Sequence, residues 1–128
     1  MISLDHKAVY LSGPMSELPD YNRAAFAQAE KELYALGAWY VFNPCEYWRA
    51  DGNTLPDWSY ADFMRADLHM LTSGAPGKRQ FDLVVLLDGY SGSRGARLEA
   101  SVAEACNILS LTLAEIRKRQ LKDFCEGK

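Results

Sequence analysis

The side chains that invite chemistry in this sequence are two carboxylates that break the pattern around them. Between Ala61 and Thr72 the apolar residues Phe63, Met64, Leu68, Met70 and Leu71 gather on one side of a helical wheel drawn at about 100° per residue. Asp67 falls in the middle of that side, whereas Asp62, Arg65 and His69 lie opposite. Burying a carboxylate is costly unless it is paired or hydrogen-bonded, so Asp67 is a functional candidate. A structural aspartate tying down a loop would leave the same pattern.

The second carboxylate is Glu99, which follows the small-residue stretch Asp88-Gly89-Tyr90-Ser91-Gly92-Ser93-Arg94-Gly95. Exposed N–H groups in such a turn can cradle a phosphate, with Arg94 or Arg97 adding charge. On the helix that follows, Leu98, Val102, Ala105 and Cys106 read as the buried stripe, with Glu99 at its edge. The unpaired N–H groups at a helix start favour an ionised carboxylate, and an ionised carboxylate can be a nucleophile. A plain helix-start glutamate is the alternative. Two inward carboxylates near the same strand ends suggest cleavage of a glycosidic bond by one nucleophile and one acid/base, and Tyr10 could orient one of them. Tyr10 would equally serve as a core residue.

These groups need a scaffold, and the hydrophobic periodicity supplies one. Ala8 to Leu11 reads as a buried strand ending at Ser12-Gly13-Pro14, and Tyr21 to Leu36 as a helix with Asn22 a possible N-cap. Trp39 to Phe42 is a second strand closed by Asn43-Pro44. Cys45 to Ser59 shows no period and reads as a long loop in which Trp48 and Trp58 either cover a site or pack at its rim. A helix over Tyr60 to Thr72 ends at Ser73-Gly74-Ala75-Pro76-Gly77. Phe81 to Leu87 is nearly continuous apolar strand, followed by a helix from Gly95 to Cys106, a last strand from Ile108 to Leu113 and a closing helix from Ala114 to Phe124. Alternation of this kind predicts a single α/β domain over residues 1–128, doubly wound and Rossmann-like, around a mostly parallel sheet of four to five strands. Ligands bind such sheets beyond the C-terminal strand ends where strand order reverses, which singles out the loops Ser12 to Pro19, Pro44 to Ser59 and Asp88 to Gly95.

Composition narrows the function further. The 128 residues carry 14 basic against 17 acidic side chains, a net charge of −3, which gives no positive field for a nucleic-acid polymer. The apolar run Leu83-Val84-Val85-Leu86-Leu87 is far shorter than the roughly 20 residues that span a bilayer, so no membrane association is expected. Cys45, Cys106 and Cys125 are odd in number and widely spaced, and the N-terminal residues lack a signal peptide's apolar segment; a cytoplasmic protein is expected. His6 and His69 share no ligand spacing with the cysteines, so no metal is expected. The basic stretch Arg117-Lys118-Arg119-Gln120-Leu121-Lys122 reads as a solvated helix end or a contact for a partner.

Several motifs occur in an order that resembles a known group: Val9-Tyr10-Leu11-Ser12-Gly13-Pro14-Met15, Asp20-Tyr21-Asn22, Phe42-Asn43-Pro44, Arg65-Ala66-Asp67-Leu68 and Ser93-Arg94-Gly95-Ala96-Arg97-Leu98-Glu99. They resemble a family of short phage and bacterial proteins that is similar to the nucleoside 2-deoxyribosyltransferase superfamily, which includes deoxynucleoside 5′-monophosphate N-hydrolases. The resemblance implies a flavodoxin-like fold. It implies Glu99 as the nucleophile at C1′ of the sugar, Tyr10 as the residue holding it, and Asp67 as the group protonating the departing base. It implies small hydroxyl and glycine contacts to substrate or phosphate, here Ser12 and Gly13 in the first loop and Ser91, Gly92, Ser93 and Arg94 in the third. Ser93 with Arg94 favours a 5′-phosphorylated substrate. It also implies a homo-oligomer and a small nucleotide or nucleoside as partner. No cofactor is expected, because the chemistry needs only an ionised carboxylate, a proton donor and a fixed sugar. A binding protein that keeps the pocket without turnover is the alternative.

Overall fold

The computed structural model describes residues 3–15, 18–45, 59–75 and 78–126. Strand β1, Ala8–Ser12, leads through a short 3-10 turn over Pro19–Asn22 into helix α1, Arg23–Ala35, and strand β2, Tyr40–Phe42. Helix α2, Tyr60–Leu71, is followed by a small antiparallel hairpin of β3, Gly74–Ala75, and β4, Lys78–Arg79. Strand β5, Leu83–Leu86, helix α3, Arg94–Ala105, strand β6, Leu109–Thr112, and helix α4, Leu113–Glu126, complete the domain. The central sheet runs β2-β1-β5-β6 with every pairing parallel. The expected α/β architecture is therefore present, with four strands in the main sheet among the described residues and a hairpin where the sequence suggested only a turn.

Alternation along β1 divides the core in two. Val9 and Leu11 point to the side covered by Phe26, Ala29 and Leu33 of α1 and Ile116 of α4. Ala8 and Tyr10 point to the other side, where they meet Phe42, Phe81, Val84, Leu71 of α2 and Ala103 of α3. Each large apolar side chain buried this way contributes about 1.5–3 kcal/mol. Arg117 of α4 clamps Glu32 of α1 through bonds of 2.9 and 2.6 Å, which also holds the Glu32 carboxyl below its ordinary range. Among the described residues no helix is long and apolar enough to cross a membrane.

The chain runs from β1 to its neighbour β2 and then crosses back to β5 on β1's other side. Strand order thus reverses between β1 and β5, and a crevice opens beyond their C-terminal ends. The loop after β1 is pressed tight there: Leu87 donates its N–H to the Ser12 carbonyl at 2.8 Å. A Cβ on Gly13 would lie 2.8 Å from the Leu87 Cβ, so only glycine fits without backbone movement.

Two local readings change. Asn22 precedes α1 but makes no side-chain cap; it sits at φ 62° and gives its Nδ2 to the Pro14 carbonyl at 3.0 Å, tying the first loop down. On α3 the buried residues are Ala96, Glu99 and Ala103, whereas Leu98, Ala105 and Cys106 are exposed and Val102 is half-buried. The helix is rotated away from the predicted stripe because small alanines let it approach the sheet and bring Glu99 under it. Gly13→Ala is expected to keep the fold by circular dichroism but to lose about 1–3 kcal/mol in urea unfolding. An unchanged midpoint would show that the loop after β1 is not tightly packed.

Candidate active site

Period-2 alternation puts Tyr10 and Ser12 on the same side of β1, and α3 crosses that side. Glu99 meets both hydroxyls. Ser12 Oγ donates to Glu99 Oε1 at 2.7 Å, and Tyr10 Oη donates to Oε2. Tyr10 Oη also lies 3.3 Å from the Asp67 backbone carbonyl, so α2 and α3 meet over one phenol. The Tyr10 ring is locked by Phe42, with centroids 5.1 Å apart, and by an edge contact to Phe81 at 5.4 Å.

Glu99 is only 6 % exposed, and burial pushes its carboxyl above the ordinary glutamate range. The hydrogen bonds from Tyr10 and Ser12 act in the opposite direction, favouring the anion. Glu99 is the sixth residue of α3, beyond the first turn where the helix dipole is strongest. Hydroxyls from the neighbouring strand, rather than the helix start, are what hold this carboxylate.

Asp67 is 7 % exposed and borders the same cavity as Glu99, a pocket of about 560 Å³, within the range that encloses small organic ligands. Ser59 starts α2 with a reciprocal capping box to Asp62, which fixes the helix that carries Asp67. Ser93 caps α3 by accepting the Ala96 N–H at 3.2 Å, so Gly92, Ser93 and Arg94 line the pocket edge at the helix start. Arg94 lies over the Tyr60 ring, 5.1 Å from its centroid.

The structure thus gathers Gly13, Asp67, Gly92, Ser93, Arg94 and Glu99 around one cavity. Tyr10 and Ser12 stand behind Glu99. Ser12, expected to contact substrate or phosphate, is 1 % exposed and directs its hydroxyl to the carboxylate instead. Ser91 is not part of the lining; its carbonyl accepts from Arg97 Nη1 at 3.4 Å. Trp48 and Trp58 lie outside the described residues.

Sequence reasoning missed the aromatic residues of the pocket wall, Tyr21 and Tyr60. Tyr60, Met64 and Asp67 follow one another at helical spacing along the pocket side of α2, a signal that was legible but resembles ordinary core spacing. Tyr21 reaches the pocket because Asp20, Tyr21 and Asn22 adopt left-handed backbone, with φ of 51°, 54° and 62°. Left-handed backbone costs a residue with a side chain about 1–2 kcal/mol; aspartate and asparagine tolerate it best, so Asp20 and Asn22 carry a faint signal and Tyr21 carries none. Among the described residues no three His, Cys, Asp or Glu side chains converge as a metal ion would require. Cys45 is buried and Cys106 exposed.

Fold and site together define a parallel α/β domain with two buried carboxylates on one pocket at the switch point of its sheet. Residues 7–111 match the family described as a domain of unknown function (DUF4406), and the chain belongs to that family. The matched span contains Tyr10, Ser12, Asp67, Arg94 and Glu99. No curated protein and no solved structure matches the chain.

A carboxyl raised by burial adds stability below the unfolded glutamate value of about 4.3 and loses it as pH rises through the folded value. Glu99→Gln removes that dependence. The melting temperature of this variant relative to wild type is expected to increase from acid to neutral pH and then level off. A difference that stays constant across the range would show that Glu99 is not perturbed.

Proposed function

We propose that the pocket takes a nucleotide or (deoxy)nucleoside and that the protein cleaves its base–sugar bond, as an N-glycosidase or N-glycosyltransferase. What supports this reading above all is a buried Glu99 carboxylate held by two hydroxyl donors on the cavity that Asp67 also borders.

In the first step a Glu99 oxygen attacks C1′ of the sugar and forms an ester. The C1′–N bond breaks, its electron pair goes to the base, and protonated Asp67 delivers the proton that the departing base needs. In the second step water attacks C1′ and gives its proton to the Asp67 carboxylate, and Glu99 leaves as a carboxylate. A second base in place of water gives transfer, with its N–H proton passing to Asp67. Atoms and charge balance without a cofactor or metal. Tyr10 and Ser12 are positioning residues: they orient Glu99 and favour its ionised form before attack and after release. Ser93 and Arg94 at the pocket edge suit an anionic 5′ group, which favours a 5′-phosphorylated substrate in the cytoplasm.

One observation favours a second reading. The burial that raises the Glu99 carboxyl disfavours the anion that attack requires, which suits a protein that binds a nucleotide derivative without turnover.

Incubation with a panel of nucleosides and their 5′-monophosphates, followed by chromatography for free base, separates the two. Base release that falls to background in Glu99→Gln supports the glycosidic reading; binding with no release from any compound supports the sensor. Tyr10→Phe is expected to lower turnover about a hundredfold and to move the acid limb of the pH profile upward, because Glu99 loses one donor that favours its anion. Arg94→Ala is expected to raise KM for the monophosphate more than for the nucleoside. Equal effects on both would remove the phosphate assignment.

A further inference from the structure

Arg23, Arg65, Arg97 and Arg117 each reach an oxygen, on Asp20, Asp62, the Ser91 carbonyl and Glu32 respectively. Arg94 does not. Among the described residues it makes no hydrogen bond and no ion pair, and its guanidinium carbon lies 5.1 Å from the centre of the Tyr60 ring, within the roughly 6 Å over which an aromatic face attracts a cation. A ring face answers the charge of a guanidinium but does not use up its N–H donors, so Arg94 keeps them for another acceptor.

Tyr60 is itself held in place. It is the first residue of α2, directly after Ser59, whose reciprocal bonds with Asp62 of 3.0 and 3.1 Å fix the backbone there. Its side chain sits against the start of α3 at Gly95, where an added Cβ would lie 3.8 Å from the Tyr60 Oη and 3.2 Å from the Met64 Sδ. Glycine at this position lets the two helices come close. The Tyr60 hydroxyl makes no hydrogen bond among the described residues, so what the side chain offers Arg94 is the face of its ring.

We propose that Tyr60 is a positioning residue for Arg94, holding the guanidinium at the pocket edge so that it meets the 5′ phosphate of a nucleotide already placed. A long exposed arginine otherwise gives up rotamer freedom when an anion immobilises it, and that loss weakens binding. Restricting the side chain beforehand strengthens the phosphate contact and leaves the contacts of base and sugar as they are. Selectivity for a phosphorylated over an unphosphorylated ligand then depends on an aromatic residue that acts through its neighbour. This inference rests on the reading that a 5′ phosphate sits at Ser93 and Arg94, and not on cleavage of the base–sugar bond.

Isothermal titration calorimetry tests it with 2′-deoxyadenosine, 2′-deoxyguanosine, 2′-deoxycytidine and thymidine, each beside its 5′-monophosphate, in a Glu99→Gln background so that no ligand is consumed. The quantity read is the nucleoside Kd divided by the monophosphate Kd. Tyr60→Leu is expected to lower this ratio about fivefold with the nucleoside Kd unchanged, and Tyr60→Phe, which keeps the ring, to preserve it. Arg94→Ala is expected to lower it about tenfold or more, and adding Tyr60→Leu to Arg94→Ala to lower it no further. A ratio that Arg94→Ala reduces but Tyr60→Leu leaves intact would overturn the inference alone, as would equal weakening of nucleoside and monophosphate by Tyr60→Leu, the mark of a ring that stacks on the base. No preference for any monophosphate in the parent protein would remove the phosphate reading and this inference with it.

Discussion

A carboxylate placed between a sheet and the helix that covers it must be compensated where it sits, and that requirement organises this protein. Water does not reach Glu99 freely, so its oxygens take hydrogen bonds from the strand beneath. Those donors must be two residues apart on β1 to share a side, which Tyr10 and Ser12 are. The phenol must also be immobile, and Phe42 and Phe81 fix it. Small residues must stand next to Glu99 on α3 for the helix to come close, and Ala96 and Ala103 do. Replacing the carboxylate would relax every one of these demands, so Glu99 makes this core costlier to assemble than a packed apolar side chain would.

Topology adds what local packing cannot. Because strand order reverses between β1 and β5, the loops that follow them diverge and leave a crevice instead of closing on each other. Helix α2 closes one wall with Tyr60, Met64 and Asp67, and the start of α3 closes another. The left-handed turn at Asp20 to Asn22 costs conformational energy, and the Asn22 bond to Pro14 offsets part of it while Tyr21 takes its place on the wall.

Much of this was legible in the residues themselves. The strands announce themselves as apolar runs, and Asp67 betrays itself by occupying an apolar helix side. Glu99 was visible as a candidate, but the orientation of its helix was not. Counting Leu98, Val102 and Cys106 as buried follows the usual equation of apolar with inside, and α3 reverses that equation because the small residues and the carboxylate take the inner side. Ser12 looks in sequence like a turn residue facing ligand; its shared side with Tyr10 follows from strand alternation alone, but the identity of its acceptor depends on where α3 crosses. Tyr21 was out of reach, since its position comes from left-handed backbone in three residues that are not glycine.

The state of the Glu99 carboxyl is the point on which chemistry and structure meet, and it can be observed directly. Carbon-detected NMR of protein labelled at the glutamate side-chain carboxyl, titrated in wild type and in Ser12→Ala, follows that one group. The expected result is a Glu99 midpoint above the roughly 4.3 of a free glutamate, and higher again once the Ser12 donor is gone. A midpoint at the ordinary value, or one that Ser12→Ala leaves in place, would contradict the picture of a buried carboxylate held by strand hydroxyls.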